Sequence, residues 1–159
     1  MILSPMFAEP TLCSDDTSLP TCTLCARTDD EALKLALAAP PLDLSCFQEQ
    51  CFDDLSLANK LLNDFAETAY ARVAQLESGL SRCDLKELAR RAHALQGVAG
   101  LLGAVPLWNI TTQLEVAAMA ENLTLIRLRV RQVRQQIRRP LEVIPDTLAA
   151  FQGGSHSHL

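Results

Sequence analysis

The residues best placed to do chemistry lie in the stretch Ala92-His93-Ala94-Leu95-Gln96-Gly97-Val98-Ala99-Gly100-Leu101-Leu102-Gly103-Ala104. His93 is its centre. An imidazole is a nucleophile at neutral pH, because an unperturbed pKa of about 6.5 leaves one ring nitrogen free. Gly97 and Gly100 follow one and two helical turns later, and Ala89 precedes by one turn. At about 100° per residue, both glycines fall within roughly 40° of His93. A glycine in a helix interior costs about 1 kcal/mol relative to alanine. Two of them beside one histidine point to a use: they clear space around the ring so that another protein can reach it.

A helix must carry this arrangement. Leu85, Leu88, Ala92, Leu95 and Ala99 recur at the spacing of one apolar helical face. His93 lies roughly 130° from the centre of that face, so its ring is expected in solvent. Asp84 and Glu87 make a capping-box pattern at the start. Gly103 stands where a left-handed C-cap belongs. Pro106 suits the first turn of the next helix, which runs to about Glu121 with Leu107, Ile110, Leu114 and Ala117 inward. The short connection makes the two helices an antiparallel hairpin, an arrangement that can place Glu115 near His93.

This pattern resembles the histidine-containing phosphotransfer (HPt) domain, whose signature runs approximately A-H-x-L-K-G-x-x-x-x-x-G-A before a helix with a Leu-Glu pair. The matching residues are Ala92, His93, Leu95, Gly97, Gly103 and Ala104, then Leu107, Leu114 and Glu115. The resemblance covers roughly residues 42–144. It departs at Gln96, where the family has lysine. The resemblance implies a phosphoryl group carried on the outer ring nitrogen of His93, with the inner nitrogen's proton held by Glu115. It implies docking of a receiver domain over Ala89, Arg90, Gln96, Gly97 and Gly100. Arg90, one turn before His93, is the candidate for the positive charge that Gln96 lacks.

Composition agrees with a bundle. Hydrophobic residues make up 48% of the 159 residues but aromatics only 4%. The core must therefore be leucine and alanine packing, which favours helices. The fold class expected is all-α, an antiparallel four-helix bundle with an additional short N-terminal helix. A net charge of -5 weighs against nucleic acid as a partner. The charge is uneven: the chain before Leu42 is acidic, whereas Arg127, Arg129, Arg131, Arg134, Arg138 and Arg139 make the last long helix basic. That helix reads either as a solvated face or as a surface steering an acidic receiver domain.

Six cysteines are present. Cys22 and Cys25 form one C-x-x-C with Cys13 nearby, but a structural zinc needs four ligands, and no metal site and no cofactor is assigned. Cys46, Cys51 and Cys83 read as small apolar residues or free thiols. Met1–Pro10 lacks the basic and apolar regions of a signal peptide, and no apolar run is long enough to span a bilayer. A cytoplasmic, reducing setting is the expectation.

Residues 1–41 read as an acidic, poorly ordered extension with a short helix from the capping box Thr28-Asp29-Asp30-Glu31 to Ala39, stopped by Pro40-Pro41. Residues 42–144 read as the bundle and 145–159 as a flexible tail. Asp43 caps a short helix to about Phe52. Asp53 or Asp54 starts a long one with the stripe Leu61, Leu62, Phe65, Ala69, Val73, Leu76 and Leu80. Leu123–Arg139 forms the last helix, which Pro140 ends or kinks.

The function so implied is that of a phosphocarrier in a two-component phosphorelay. His93 would take a phosphoryl group from a receiver domain of a hybrid sensor kinase and pass it to a response regulator, with Mg²⁺ bound on the receiver. The chain has no glycine-rich nucleotide motif, so autonomous ATP-dependent kinase activity is not expected. Neither nucleic acid nor membrane is an expected partner, and the protein is expected to be a monomer. Gln96 raises an alternative: an HPt-derived scaffold that binds a receiver or kinase without exchanging phosphate.

Overall fold

The computed structural model describes residue 31 and residues 33–153. Thr28, the group Cys13, Cys22 and Cys25, and the chain after Gly153 lie outside the described residues. Residues 33–38 belong to a first helix, α1. Then come α2 (Leu44–Gln50), α3 (Leu55–Ser81), α4 (Leu85–Leu101), α5 (Val105–Met119), α6 (Leu123–Gln136) and α7 (Arg138–Gly153). Among the described residues there is no strand. None of the described helices is long and apolar enough to cross a membrane.

Side-chain caps start four of these helices. Asp43 accepts from the Cys46 N–H, Asp54 from Ser56 and Leu57, Asp84 from Glu87, and Asn122 from Leu125. Each satisfies backbone donors that a helix start leaves unpaired, worth about 1 kcal/mol. The capping box expected at Asp84 is half formed. The Glu87 side chain turns to Arg90 and Arg91, and the Asp84 N–H is already donated to the Gly79 carbonyl at 2.9 Å.

Three helix ends share one geometry. Cys83, Gly103 and Glu121 follow the caps of α3, α4 and α5 with positive φ of 53°, 65° and 55°. In each case the next residue's N–H reaches back to close the helix: Asp84 to Gly79, Ala104 to Ala99, Asn122 to Ala117. This is the Schellman arrangement. That next residue is also the N-cap of the following helix, so the connections are as short as helices allow. Only one of the three is glycine, for a steric reason. A Cβ on Gly103 would stand 2.7 Å from the Asp43 carbonyl oxygen, where the Asp43 N–H donates to the Gly103 carbonyl at 2.9 Å. The chain entering α2 is thereby pinned to the end of α4.

Short connections make sequential helices neighbours. α3 packs on α4, α4 on α5, α5 on α6, and α6 closes back on α3. This is the antiparallel four-helix bundle, with α2 packed beside its long helix α3. The core holds Leu62, Phe65 and Leu76 of α3, Leu88 and Leu95 of α4, Ile110 and Leu114 of α5, and Ile126 and Val133 of α6, all buried. Burying each such side chain stabilises the fold by about 1.5–3 kcal/mol. The stripe on α3 is confirmed, with Leu61 and Leu80 at its partly buried edges. Leu128 of α6 is exposed.

The C-terminal region corrects the sequence reading. Residues 145–153, expected in a flexible tail, continue α7 to Gly153, and Ile144, Thr147 and Phe151 are buried. Pro140 begins this helix instead of ending one. It lies in the first turn, where backbone N–H groups have no intrahelical acceptor and a missing donor costs nothing. The preceding helix stops at Gln136, ahead of the expected Arg139. Ile137 between them keeps helical angles, φ -65° and ψ -23°. Pro145 sits inside α7 on its exposed side. Arg139 donates to the carbonyls of Leu37 and Ala39, so the end of α1 and the residue after it are tied to the start of α7.

Candidate functional site

The seam between α4 and α5 carries three cross-helix pairs. His93 faces Glu115, Gln96 faces Thr112, and Gly100 faces Trp108. Each step advances about a turn on α4 and retreats about a turn on α5, as antiparallel neighbours require. His93 Nδ1 lies 3.2 Å from both Glu115 carboxylate oxygens. A carboxylate only accepts hydrogen bonds, so in this pairing Nδ1 carries a proton, and in the neutral ring the lone pair is then on Nε2. The His93 side chain is 71% exposed and that of Glu115 25%. The ring is therefore anchored on one nitrogen and open on the other.

Gln96 donates from Nε2 to the Thr112 hydroxyl at 2.6 Å, and Thr112 donates to the Trp108 carbonyl at 2.8 Å. Gln96 is partly buried and committed to α5. The two glycines differ from each other. A Cβ on Gly97 would meet nothing within 4 Å, so the space beside His93 is open as expected. One on Gly100 would stand 3.3 Å from Trp108 Cδ1, so this glycine is exposed yet seats an indole. Trp108, 41% exposed, lines a small apolar hollow with Cys46, Val105 and Gly103. Ala89 is partly buried against the core.

Arg90 is not free in the resting protein. Its Nε and Nη2 each donate at 2.7 Å to Glu87. Arg91 donates to the same carboxylate at 2.6 Å and to Gln75 of α3 at 2.7 Å. Hydrogen bonds from Arg90 first, then Arg91, lower the Glu87 pKa to about 2. The expected docking residues thus divide: Gly97 is open, Gln96 and Arg90 are engaged, Gly100 and Ala89 pack. Neither Thr112 nor Trp108 is given a role at the site by the sequence. Their signal was the register: once His93 faces Glu115, helical spacing sets Gln96 opposite Thr112 and Gly100 opposite Trp108.

Among the described residues, an all-α bundle holds an exposed imidazole against a carboxylate on the neighbouring helix, an arrangement that leaves one ring nitrogen accessible to another macromolecule. The Hpt domain family model matches residues 60–142, more than half of the chain, and the chain belongs to that family. No curated protein and no solved structure matches it. Hpt domains serve phosphotransfer in two-component signalling and interact with receiver domains.

Proposed function

We propose that the protein is a phosphocarrier that accepts a phosphoryl group on His93 from a receiver-domain aspartate and returns it to the receiver of a response regulator, acting as a cytoplasmic monomer. The observation that carries this reading is the His93–Glu115 pair: Nδ1 engaged at 3.2 Å on an otherwise exposed ring. The Nε2 lone pair attacks phosphorus, a P–N bond forms, and the acyl phosphate's P–O electron pair leaves on the donor aspartate. Nδ1 keeps its proton, and Glu115 balances the positive charge that the ring acquires. Phosphoryl transfer is mostly positioning and charge stabilisation, and the receiver contributes its own Mg²⁺. Gly97 gives the receiver access. Exposed Arg127, Arg131 and Arg138 supply positive potential that would steer an acidic receiver.

The test is phosphorylation of the purified protein with phosphoramidate, and separately with a phosphorylated receiver domain, read by ³¹P NMR beside a His93→Ala control. An acid-labile, base-stable phosphohistidine absent from the control is expected. Receiver binding with no transfer from either donor would establish the scaffold reading instead, which the engagement of Gln96 by Thr112 favours.

A further inference from the structure

Phosphorylation of His93 would place about 1.5 to 2 negative charges beside a carboxylate that already lies 3.2 Å from the ring. α5 brings no cation to meet them, since Glu115 is its one charged residue. Gln96 is neutral and its amide is given to Thr112. On α4, the cations that share the His93 side are Lys86 and Arg90, whereas Arg91 is turned to Gln75 of α3. Arg90 stands one turn before His93. Residues three apart on a helix have Cβ atoms about 5–6 Å apart. Helical side chains lean toward the N-terminus, so the His93 ring leans over the turn that carries Arg90. Lys86 stands two turns before.

Glu87 holds more positive charge than it balances. One carboxylate accepts from two guanidiniums, Arg90 at 2.7 Å and Arg91 at 2.6 Å. Arg91 has a second anchor on Gln75 and can keep Glu87 paired alone. The Arg90 side chain is 64% exposed, so most of it is free of packing that would resist its turning. A phosphoryl group offers this fork three acceptor oxygens and more charge than a carboxylate shared with a neighbour.

We propose that Arg90 is a stored counter-ion, resting on Glu87 in the unmodified protein and moving to the phosphoryl group when His93 is phosphorylated, while Arg91 retains Glu87. This rests on the phosphocarrier reading. Arg90 then touches the transferred group, and Glu87 and Arg91 are positioning residues that park it clear of the ring until charge arrives. The exchange leaves no carboxylate unpaired, so the phosphorylated state keeps the α3–α4 network.

The experiment is a ³¹P NMR pH titration of phosphorylated protein. Phosphoramidate is the donor: a P–N bond to Nε2 forms, the donor's P–N bond breaks, and ammonia leaves. The readout is the ionisation midpoint of the phosphorylated ring, followed through the ³¹P shift in the neutral to alkaline range where the P–N bond survives; a nearby cation lowers that midpoint, and the folding of the bundle does not otherwise set it. Arg90→Gln is expected to raise that midpoint by about one unit relative to wild type. Lys86→Gln should leave it in place. Glu87→Gln, which removes the resting partner but keeps the cation, should not raise it. An unchanged midpoint in Arg90→Gln overturns the proposal. So does a rise confined to Lys86→Gln, which would assign the cation there, and so does an equal rise in Glu87→Gln, which would trace the effect to the network's shape. If wild type forms no phosphohistidine with either donor, the phosphocarrier reading falls and this inference with it; a normal signal with an unshifted midpoint removes this inference alone.

Discussion

An alanine at position 97 would meet no atom within 4 Å, and alanine is the better helix former by about 1 kcal/mol. The fold alone would therefore favour Gly97→Ala. We expect this variant to unfold at higher urea concentration while taking phosphate from a phosphorylated receiver about tenfold more slowly, because a methyl group in a docked interface costs roughly 1–3 kcal/mol. Transfer from phosphoramidate should be unaffected. Equal rates from the receiver would show that the glycine does not serve access. Glu87 offers a second check at this scale. Its pKa of about 2 lies below the ordinary 4.5, so its pairing stabilises the fold fully above the ordinary value. That contribution disappears as the pH falls toward about 2. A ¹³C carboxyl titration should find the depressed midpoint in wild type, and Arg90→Gln should move it upward.

At the scale of elements, the three left-handed helix ends make opposite demands. Gly103→Ala combines a φ of +65° with a Cβ 2.7 Å from the Asp43 carbonyl oxygen. The expected loss is at least about 2 kcal/mol, with faster amide exchange at Asp43 as α2 loosens from the end of α4. Glu121 holds φ +55° without being glycine and is exposed. Glu121→Gly relieves the left-handed cost with no crowding to answer for, and a gain of up to about 1 kcal/mol is expected from urea unfolding. If both substitutions shifted stability in the same direction, the assignment of strain to these ends would be wrong.

The described residues form a four-helix bundle braced by a helix that follows it. α7 packs against α3 and α6, with Phe151 only 8% exposed. Phe151→Ala is expected to destabilise the protein by about 3 kcal/mol. A chain that was loose beyond residue 144 would show no change in its urea midpoint. Arg139 extends the brace toward the N-terminal side through the carbonyls of Leu37 and Ala39.

Several of these features were legible in the residues alone. The inward faces of α3, α4 and α5 follow from the spacing of leucine and alanine at helical period. Asp43, Asp84 and the pair Asp53-Asp54 are short polar side chains that compete for the first free N–H groups, so they locate helix starts, though not which of the adjacent pair is the cap. Gly103 marks a helix end because a Cβ is costly at positive φ. The exposure of His93 follows from its angle to the apolar stripe. Other features were not legible. Pro140 reads as a breaker until it is known to lie in a first turn, where it breaks nothing. Cys83 and Glu121 carry no residue-type signal for positive φ, because the tight hairpin connections impose it from outside. The partners of Glu87, Gln96 and Gly100 depend on which helix lies alongside and in what register. That register is set by how all the buried faces interlock, a property no local stretch of chain contains. Residue types at helical spacing were enough for α3 to α5, their buried faces and the exposure of His93, but not for α7. Which nitrogen of that histidine is anchored, and how its neighbouring arginines are paired, came from the packing of the helices, because those are relations between elements.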